Sequence, residues 1–121
     1  MKNTIYEKLG EERLKQLVDA FYDLVLENPT LKPLFTTDMD IVRQKQLAFL
    51  TQFLGGPALY NQTYGRPMMR ARHLPHAITE EAAVAWLLCM REAIQTLDIE
   101  EEFKETLFNC FPKLAVHMVN R

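Results

Sequence analysis

The residues best suited to chemistry lie in one stretch of this 121-residue chain, residues 67–86. Here His73 comes three residues after Arg70 and directly after Arg72, and Pro75 comes two residues later. Because proline removes a backbone donor and clashes with the preceding turn, any helix that carries His73 must be short. A histidine on such a turn can direct its imidazole at a fixed position, and the two guanidinium groups suit a ligand with an anionic edge. A lone histidine is more often structural than a ligand, so the motif needs support from the rest of the chain.

Other site chemistries have little support in the sequence. No Ser/His/Asp or Cys/His arrangement has a recognisable local context, and no glycine-rich phosphate loop is present. His73 and His76 are three residues apart, which some metal sites use, but Pro75 separates them and no carboxylate or thiolate motif completes a set. We therefore expect no zinc site, and His117 is most simply structural or exposed.

The composition predicts one soluble domain over residues 1–121. The chain is 48% hydrophobic, which is enough for a core, and its net charge of −2 favours neither nucleic acid nor an anionic membrane as a partner. No apolar run could span a bilayer, and no signal-peptide layout opens the chain, so we expect a cytoplasmic protein. Cys89 and Cys110 lie in apolar helical patterns, which favours reduced thiols over a disulfide.

Helical periodicity dominates the chain, and no segment reads as a strand. The apolar spacing predicts a first helix at about 11–27, a second at about 39–54, a third from Thr79 to about Leu97, and a last one from about Ile99. Asp38 or Asp40 could cap the second helix, and Pro112 should kink or split the last. The expected fold is all-α, with four main helices joined by short pieces; residues 58–66, which carry Tyr60 and Tyr64, read as a loop.

Several polar side chains fall inside the apolar stripes. Tyr22 lies at the edge of the first helix's apolar face, where its hydroxyl could point into a pocket. Gln46 lies in the stripe of Val42, Phe49 and Phe53, and a buried amide without partners costs roughly 1–3 kcal/mol. The conservative interpretation is a glutamine bonded to backbone; the alternative is a pocket group. Together with one histidine, nearby cations and the tryptophan at position 86, these residues are what a haem pocket needs.

The sequence resembles the truncated haemoglobins, specifically group II and its Gram-positive bacterial members. The similarity covers nearly the whole chain in the family's order and spacing. The matching pieces are Phe21-Tyr22, Pro33 to Phe35, Phe49 to Pro57 (FLTQFLGGP), Tyr60, Arg70 to His73 (RARH), Trp86 to Met90 and His117 to Asn120.

The resemblance implies a shortened globin in which two helix pairs pack across each other, two over two, around haem b. His73 would be the proximal iron ligand, and Tyr22, Gln46 and Trp86 would be the distal hydrogen-bonding residues. The remaining residues implied at the haem are Phe35, Val42, Lys45, Phe49, Phe53, Tyr60 and Arg72. Among these, Lys45 and Arg72 would meet the propionates, and Val42 would leave the distal-histidine position apolar.

Some positions depart from the family pattern. Gly65-Arg66-Pro67 stands where close relatives often have Gly-His-Pro, and His76 replaces the usual aromatic. His76 could add a cation near the haem edge, or serve as an alternative iron ligand in a rearranged state. Neither departure disturbs the proximal ligand.

The function implied by the resemblance is reversible binding of O2 and other diatomic ligands such as CO and NO, with tight retention of O2 and a role in oxygen transport. An enzymatic alternative is peroxidase-like chemistry or oxidation of nitric oxide, which needs an electron donor that this chain does not supply. A third hypothesis is a helical sensor or interaction domain whose pocket takes a ligand other than haem. Monomer and homodimer both remain open.

Overall fold

The protein is described by a computed structural model at residues 4–35, 38–65 and 78–119. These ranges are helical and contain no strand, which confirms the predicted all-α class. The helices are α1 (Ile5–Leu9), α2 (Glu11–Glu27), a 3-10 turn (Lys32–Leu34), α3 (Met39–Phe53), α4 (Leu59–Tyr64), α5 (Glu80–Gln95), α6 (Glu101–Phe108) and α7 (Pro112–Met118).

The boundaries of the long helices agree with the apolar periodicity, and local chemistry explains them. Asp38 caps α3 by accepting a hydrogen bond from the backbone N–H of Asp40 at 2.9 Å. Thr79 caps α5 in the same way, through the N–H of Ala82 at 3.0 Å. Pro112 opens α7, because proline is tolerated in the first turn of a helix, so the predicted last helix is split in two.

Two predictions about short segments are wrong. The first helix is α1 rather than the one that begins at Glu11, and the Thr4 hydroxyl caps it by accepting from the N–H of Glu7 at 3.1 Å. Residues 58–66 are not wholly loop, because Leu59–Tyr64 forms α4. Helices this short have too few turns to show an apolar period, and contacts with the rest of the chain stabilise them. In α4, the Gln52 side chain accepts from the N–H of Asn61 at 3.0 Å.

Two pairs of helices build the core, α2 with α3 and α5 with α7, and α2 packs directly on α5. One face of α2 is buried in the core and carries Leu14, Leu17, Val18, Phe21 and Val25. α4 packs on α3, and α6 packs on α5. The two long helices α2 and α5 meet at the centre. Part of the buried face of each therefore borders the space between the two helix pairs.

The corner after α3 is shaped by glycine. Gly55 has a φ of +98°, which L side chains rarely adopt, and the backbone N–H of Tyr6 donates to the Leu54 carbonyl at 2.9 Å. A Cβ at Gly56 would lie 2.6 Å from the Tyr6 ring and 2.8 Å from the Thr51 carbonyl oxygen. The Gly-Gly pair thus lets α1 close against the end of α3. Within the described ranges, no helix has the length and apolar character needed to cross a membrane.

Candidate functional site

A cavity of about 400 Å³ opens between the two helix pairs. This volume lies within the 300–1,000 Å³ typical of small-molecule and cofactor sites. Its lining comes from elements across the chain: α2, the 3-10 turn, α3, α4, α5 and α7. Aliphatic and aromatic side chains dominate, and a few polar groups interrupt them, as expected for a site that takes a flat, largely apolar ligand.

Most of the site residues predicted from the sequence meet at this cavity. The eight are Tyr22, Phe35, Val42, Lys45, Gln46, Phe49, Tyr60 and Trp86. Phe53 does not line it; its ring is 39% exposed and stacks on Phe49 with 5.6 Å between centroids. Arg72 and His73, the predicted propionate contact and iron ligand, lie outside the described residues, as do Arg70 and His76.

Tyr22 is buried in the cavity wall, between aromatic neighbours. The side chain is 4% exposed, and its ring meets Phe21 and Phe35 edge-on at centroid distances of 4.9 and 5.7 Å. Burial raises the pKa of the Tyr22 hydroxyl far above its usual range, and the nearby positive charge of Arg43 offsets this only partly. Tyr22 is therefore a neutral O–H donor at every physiological pH.

Trp86 and Gln46 contribute further donors to the same cavity. The Trp86 ring is fixed by Phe21 and Phe111, whose centroids lie 5.1 and 5.8 Å from its own. Gln46 comes from α3, on the same helical face as Val42 and Phe49. An indole N–H can only donate, whereas an amide both donates and accepts.

These three polar groups have no hydrogen-bond partner among the described residues. In that part of the chain, every fully buried side-chain nitrogen or oxygen has a hydrogen-bond partner. The polar atoms of these three residues that lack a partner are therefore accessible from the cavity. Polar groups in a mostly apolar cavity are costly unless something hydrogen-bonds to them. The arrangement is therefore suited to a ligand that accepts hydrogen bonds.

Another part of the cavity wall, around Phe49 and Tyr60, is aromatic. Phe49 meets Tyr60 edge-on at 5.8 Å, and Tyr60 lies 5.2 Å from Tyr64. The Lys45 Nζ atom lies over the Tyr64 ring, 5.4 Å from its centroid, so a cation stands at this side of the cavity. Aromatic rings with a nearby ammonium group suit an apolar ligand that carries a carboxylate.

Sequence reasoning missed one conspicuous residue beside the site, Arg43. Its guanidinium donates to the Asp19 carboxylate and to the Asp23 carboxylate, both at 3.0 Å, and to the Asp19 backbone carbonyl at 3.2 Å. Burial alone would lower the pKa of Arg43, but hydrogen bonds and charge from the two aspartates raise it, and the net shift is upward. The sequence does place Asp19 and Asp23 at i, i+4 spacing on either side of Tyr22, but this spacing does not show that Arg43 is their partner.

Several apolar residues line the cavity although nothing in the sequence predicts that they do. They are Leu31, Leu34, Ile78, Ala82, Ala83, Leu114, Ala115 and Met118. In the sequence, each of them has the pattern of an ordinary core residue. Whether such a residue faces a cavity depends on how α7 and the 3-10 turn pack against the other helices. In these ranges, no three His, Cys, Asp or Glu side chains converge where they could hold a metal ion.

Comparison with known proteins defines the class to which this fold and cavity belong. Residues 4–120 match the family of bacterial-like globins. The group 2 truncated haemoglobin YjbI of Bacillus subtilis is 51% identical over 119 residues, which cover 98% of this chain and 90% of the relative. The group II truncated haemoglobin of Bacillus anthracis has a crystal structure with a TM-score of 0.91 and 44% identity, covering 97% of this chain and 96% of that one.

A structure from Bacillus subtilis is also similar. The X-ray structure of a truncated oxygen-avid haemoglobin from that organism gives a TM-score of 0.91 and 52% identity, over 98% of this chain and 100% of that one. The chain belongs to the bacterial-like globin family and is a group II truncated haemoglobin. Membership implies haem binding and haem-based binding of O2.

Proposed function

We propose that this protein binds haem b in the cavity and retains O2 tightly through hydrogen bonds from Tyr22 and Trp86, with Gln46 as a third polar group on the same side of the cavity. The observation that carries the proposal is that these three polar side chains line one largely apolar cavity and lack partners among the described residues. A donor that already has a partner must lose it to serve a ligand, whereas these donors lose nothing.

The chemistry of the cavity fits haem. The apolar lining suits the macrocycle, with Phe35, Val42, Phe49 and Tyr60 in the cavity wall and Phe53 stacked behind Phe49. Lys45 would pair with one haem carboxylate, and Arg72 is assigned to the carboxylates as well. His73 is assigned as the iron ligand on the strength of its sequence context.

Haem held in the cavity would supply an iron site for O2, and O2 bound there would be partly anionic. The hydroxyl of Tyr22 and the indole N–H of Trp86 would then donate to a charged acceptor, which is worth roughly 1.5–3 kcal/mol for a good hydrogen bond. At about 1.4 kcal/mol per factor of ten, one such donor slows O2 release by roughly ten- to a hundredfold. Carbon monoxide stays nearly neutral, so the same donors favour O2 over it.

One relative supports the retention part of the proposal. The truncated haemoglobin from Bacillus subtilis, with which this chain shares 52% identity and a TM-score of 0.91, is described as oxygen-avid. We extend that property to this chain because its cavity offers the unpaired donors that strong retention needs.

Optical absorption tests the cofactor assignment first. The purified protein should show a globin-type Soret band that shifts on reduction and again when carbon monoxide is added. A featureless spectrum, even after haem is supplied, would show that the cavity does not hold haem under these conditions and would overturn the proposal.

The donor assignment is tested by O2 release from the reduced protein. The substitution Trp86→Phe keeps an aromatic ring and removes only the indole N–H, and it should speed O2 release by roughly tenfold or more. Val84→Ala is the matched control, because Val84 lies on the same helix, is 55% exposed and does not line the cavity. Equal release rates in the wild type and the Trp86→Phe variant would overturn the donor role assigned to Trp86.

A further inference from the structure

Arg43 connects the α2–α3 packing to the tyrosine of the cavity. Its guanidinium carbon lies 5.9 Å from the centroid of the Tyr22 ring, on the side of α3 that faces α2. Tyr22 is thus enclosed by two aromatic edges and one cation. Such contacts between a cation and the face of an aromatic ring are attractive.

Arg43 makes three hydrogen bonds to α2. One guanidinium nitrogen bonds both the carboxylate and the backbone carbonyl of Asp19, and the other bonds the carboxylate of Asp23. These two aspartates flank Tyr22 on α2, one three residues before it and the other directly after it. The fork geometry of arginine allows both bonds at once, which the single ammonium of lysine does not match.

Arg43 also acts on the hydroxyl electrostatically. The phenol is buried, which raises its pKa, and the positive charge of Arg43 lowers it, so the cation makes the O–H a more acidic donor than burial alone would. Among the described residues, the side chains in contact with Arg43 are those of Asp19, Asp23 and Tyr22. The two carboxylates partly neutralise the positive charge of Arg43. Fixed ring position and increased acidity both strengthen donation from Tyr22.

We propose that Arg43, clamped between Asp19 and Asp23, is a positioning residue that holds the Tyr22 ring against the cavity and so sets how firmly the pocket retains O2. This inference rests on the proposed function, because it acts through the hydrogen bond assigned to Tyr22. Arg43 itself does not line the cavity and is not assigned to contact the ligand.

A double-mutant cycle tests the coupling. In the otherwise unchanged haem-loaded protein, Arg43→Leu should speed O2 release about two- to fivefold, the range expected for losing one cation–ring contact. In a protein that already carries Tyr22→Phe, the same substitution should change release by much less, since the donor it positions is gone. The infrared stretching frequency of bound CO, which responds to nearby donors without measuring O2 release, should shift with Arg43→Leu only when Tyr22 is present.

Two further variants keep the test decisive if Arg43→Leu is poorly folded. Arg43→Lys retains the charge but loses the two-pronged contact, and Asp19→Asn with Asp23→Asn weakens the clamp while keeping Arg43. Both should speed O2 release by a smaller factor than Arg43→Leu. The matched control is Lys104→Met, which removes another cation that connects two helices but lies away from the cavity, and it should leave O2 release and the CO frequency unchanged.

The outcomes separate this inference from the proposed function. An equal effect of Arg43→Leu in both backgrounds, or no effect in either, would overturn the role of Arg43 while Tyr22 keeps its own. If Tyr22→Phe leaves O2 release unchanged, the donor role of Tyr22 is wrong and the inference about Arg43 is lost with it.

Discussion

Lys104 and Tyr22 are both buried polar side chains, and they differ in where their hydrogen bonds go. The Lys104 ammonium donates to the Gln95 carbonyl and to the Glu101 carboxylate, both at 3.2 Å, and so ties the start of α6 to the end of α5. The hydroxyl of Tyr22 has no such partner among the described residues and faces a cavity. Polar groups that satisfy one another stabilise the fold, whereas polar groups left unsatisfied are available to a ligand.

The same contrast holds for other residues in the two regions. Thr51 is 2% exposed, and its hydroxyl donates to the Leu47 carbonyl at 2.8 Å, inside α3. Gln46, less than two turns earlier on that helix, turns its amide to the cavity. Substitutions at the paired residues should therefore change stability and leave ligand release alone, and substitutions at the unpaired ones should do the reverse.

The largest effect should come from removing the hydroxyl of Tyr22. Tyr22→Phe keeps the ring, its contacts with Phe21 and Phe35, and its burial. O2 release should become roughly ten- to a hundredfold faster, because one hydrogen bond to a charged acceptor is lost. Flash photolysis or stopped-flow mixing measures the release, and chemical denaturation should find the free energy of unfolding unchanged or slightly higher. A destabilised variant with unchanged release would reverse the assignment of Tyr22.

The opposite pattern is expected at Gly56. A Cβ there would contact the Tyr6 ring at 2.6 Å and the Thr51 carbonyl oxygen at 2.8 Å, so Gly56→Ala should lower the free energy of unfolding by about 1–3 kcal/mol. Denaturant titration of the CO-bound protein measures this. The O2 release rate, recorded well below the unfolding transition, should match the wild type; a change similar to that of Tyr22→Phe would show that the corner and the cavity are not independent.

A smaller loss of stability is expected from Lys104→Met. The substitution keeps an unbranched apolar stem but removes a hydrogen bond to a backbone carbonyl and one to an exposed carboxylate, which should cost about 1 kcal/mol. Glu101→Gln is the control, because it weakens only the exposed ion pair and should change the unfolding midpoint by less. Equal losses in the two variants would mean that the bond to Gln95 contributes nothing.

The smallest effect at neutral pH concerns the ionisation of Tyr22. Its pKa in the folded protein is raised above the ordinary value of about 10, so the neutral form dominates and O2 release should be constant between about pH 6 and 9. Above about pH 10 an unfolded tyrosine loses its proton more easily than Tyr22 does in the folded protein, so stability should fall as the pH rises further. This fall should be weaker in Tyr22→Phe, and an identical alkaline profile in the two proteins would contradict the assignment.

Much of the fold could be predicted from the sequence because the long helices carry strong local signals. The apolar period of α2, the caps of α3 and α5, and the break at Pro112 each depend on residues close together in the chain. α1 and α4 were missed because five or six residues cannot display a helical period and contacts from elsewhere stabilise them.

The candidate site was only partly predictable. Tyr22, Gln46 and Trp86 attract attention as polar groups in apolar stripes, and the resemblance to a family supplied their roles. Arg43 could not be recognised from the sequence, because a single arginine on a helix does not show which carboxylates it will contact after α2 and α3 pack. The contributions of α7 to the cavity depend on the same long-range packing.

The most direct test of the central claim compares the release of two ligands from one variant. In the protein carrying both Tyr22→Phe and Trp86→Phe, O2 release should be at least about a hundredfold faster than in the wild type, since two donors to a partly anionic ligand are lost. Release of CO, which stays nearly neutral, should change by less than about threefold. Equal acceleration of both ligands would show that the substitutions opened the cavity rather than removed donors, and no acceleration of O2 would contradict the claim that unpaired donors retain it.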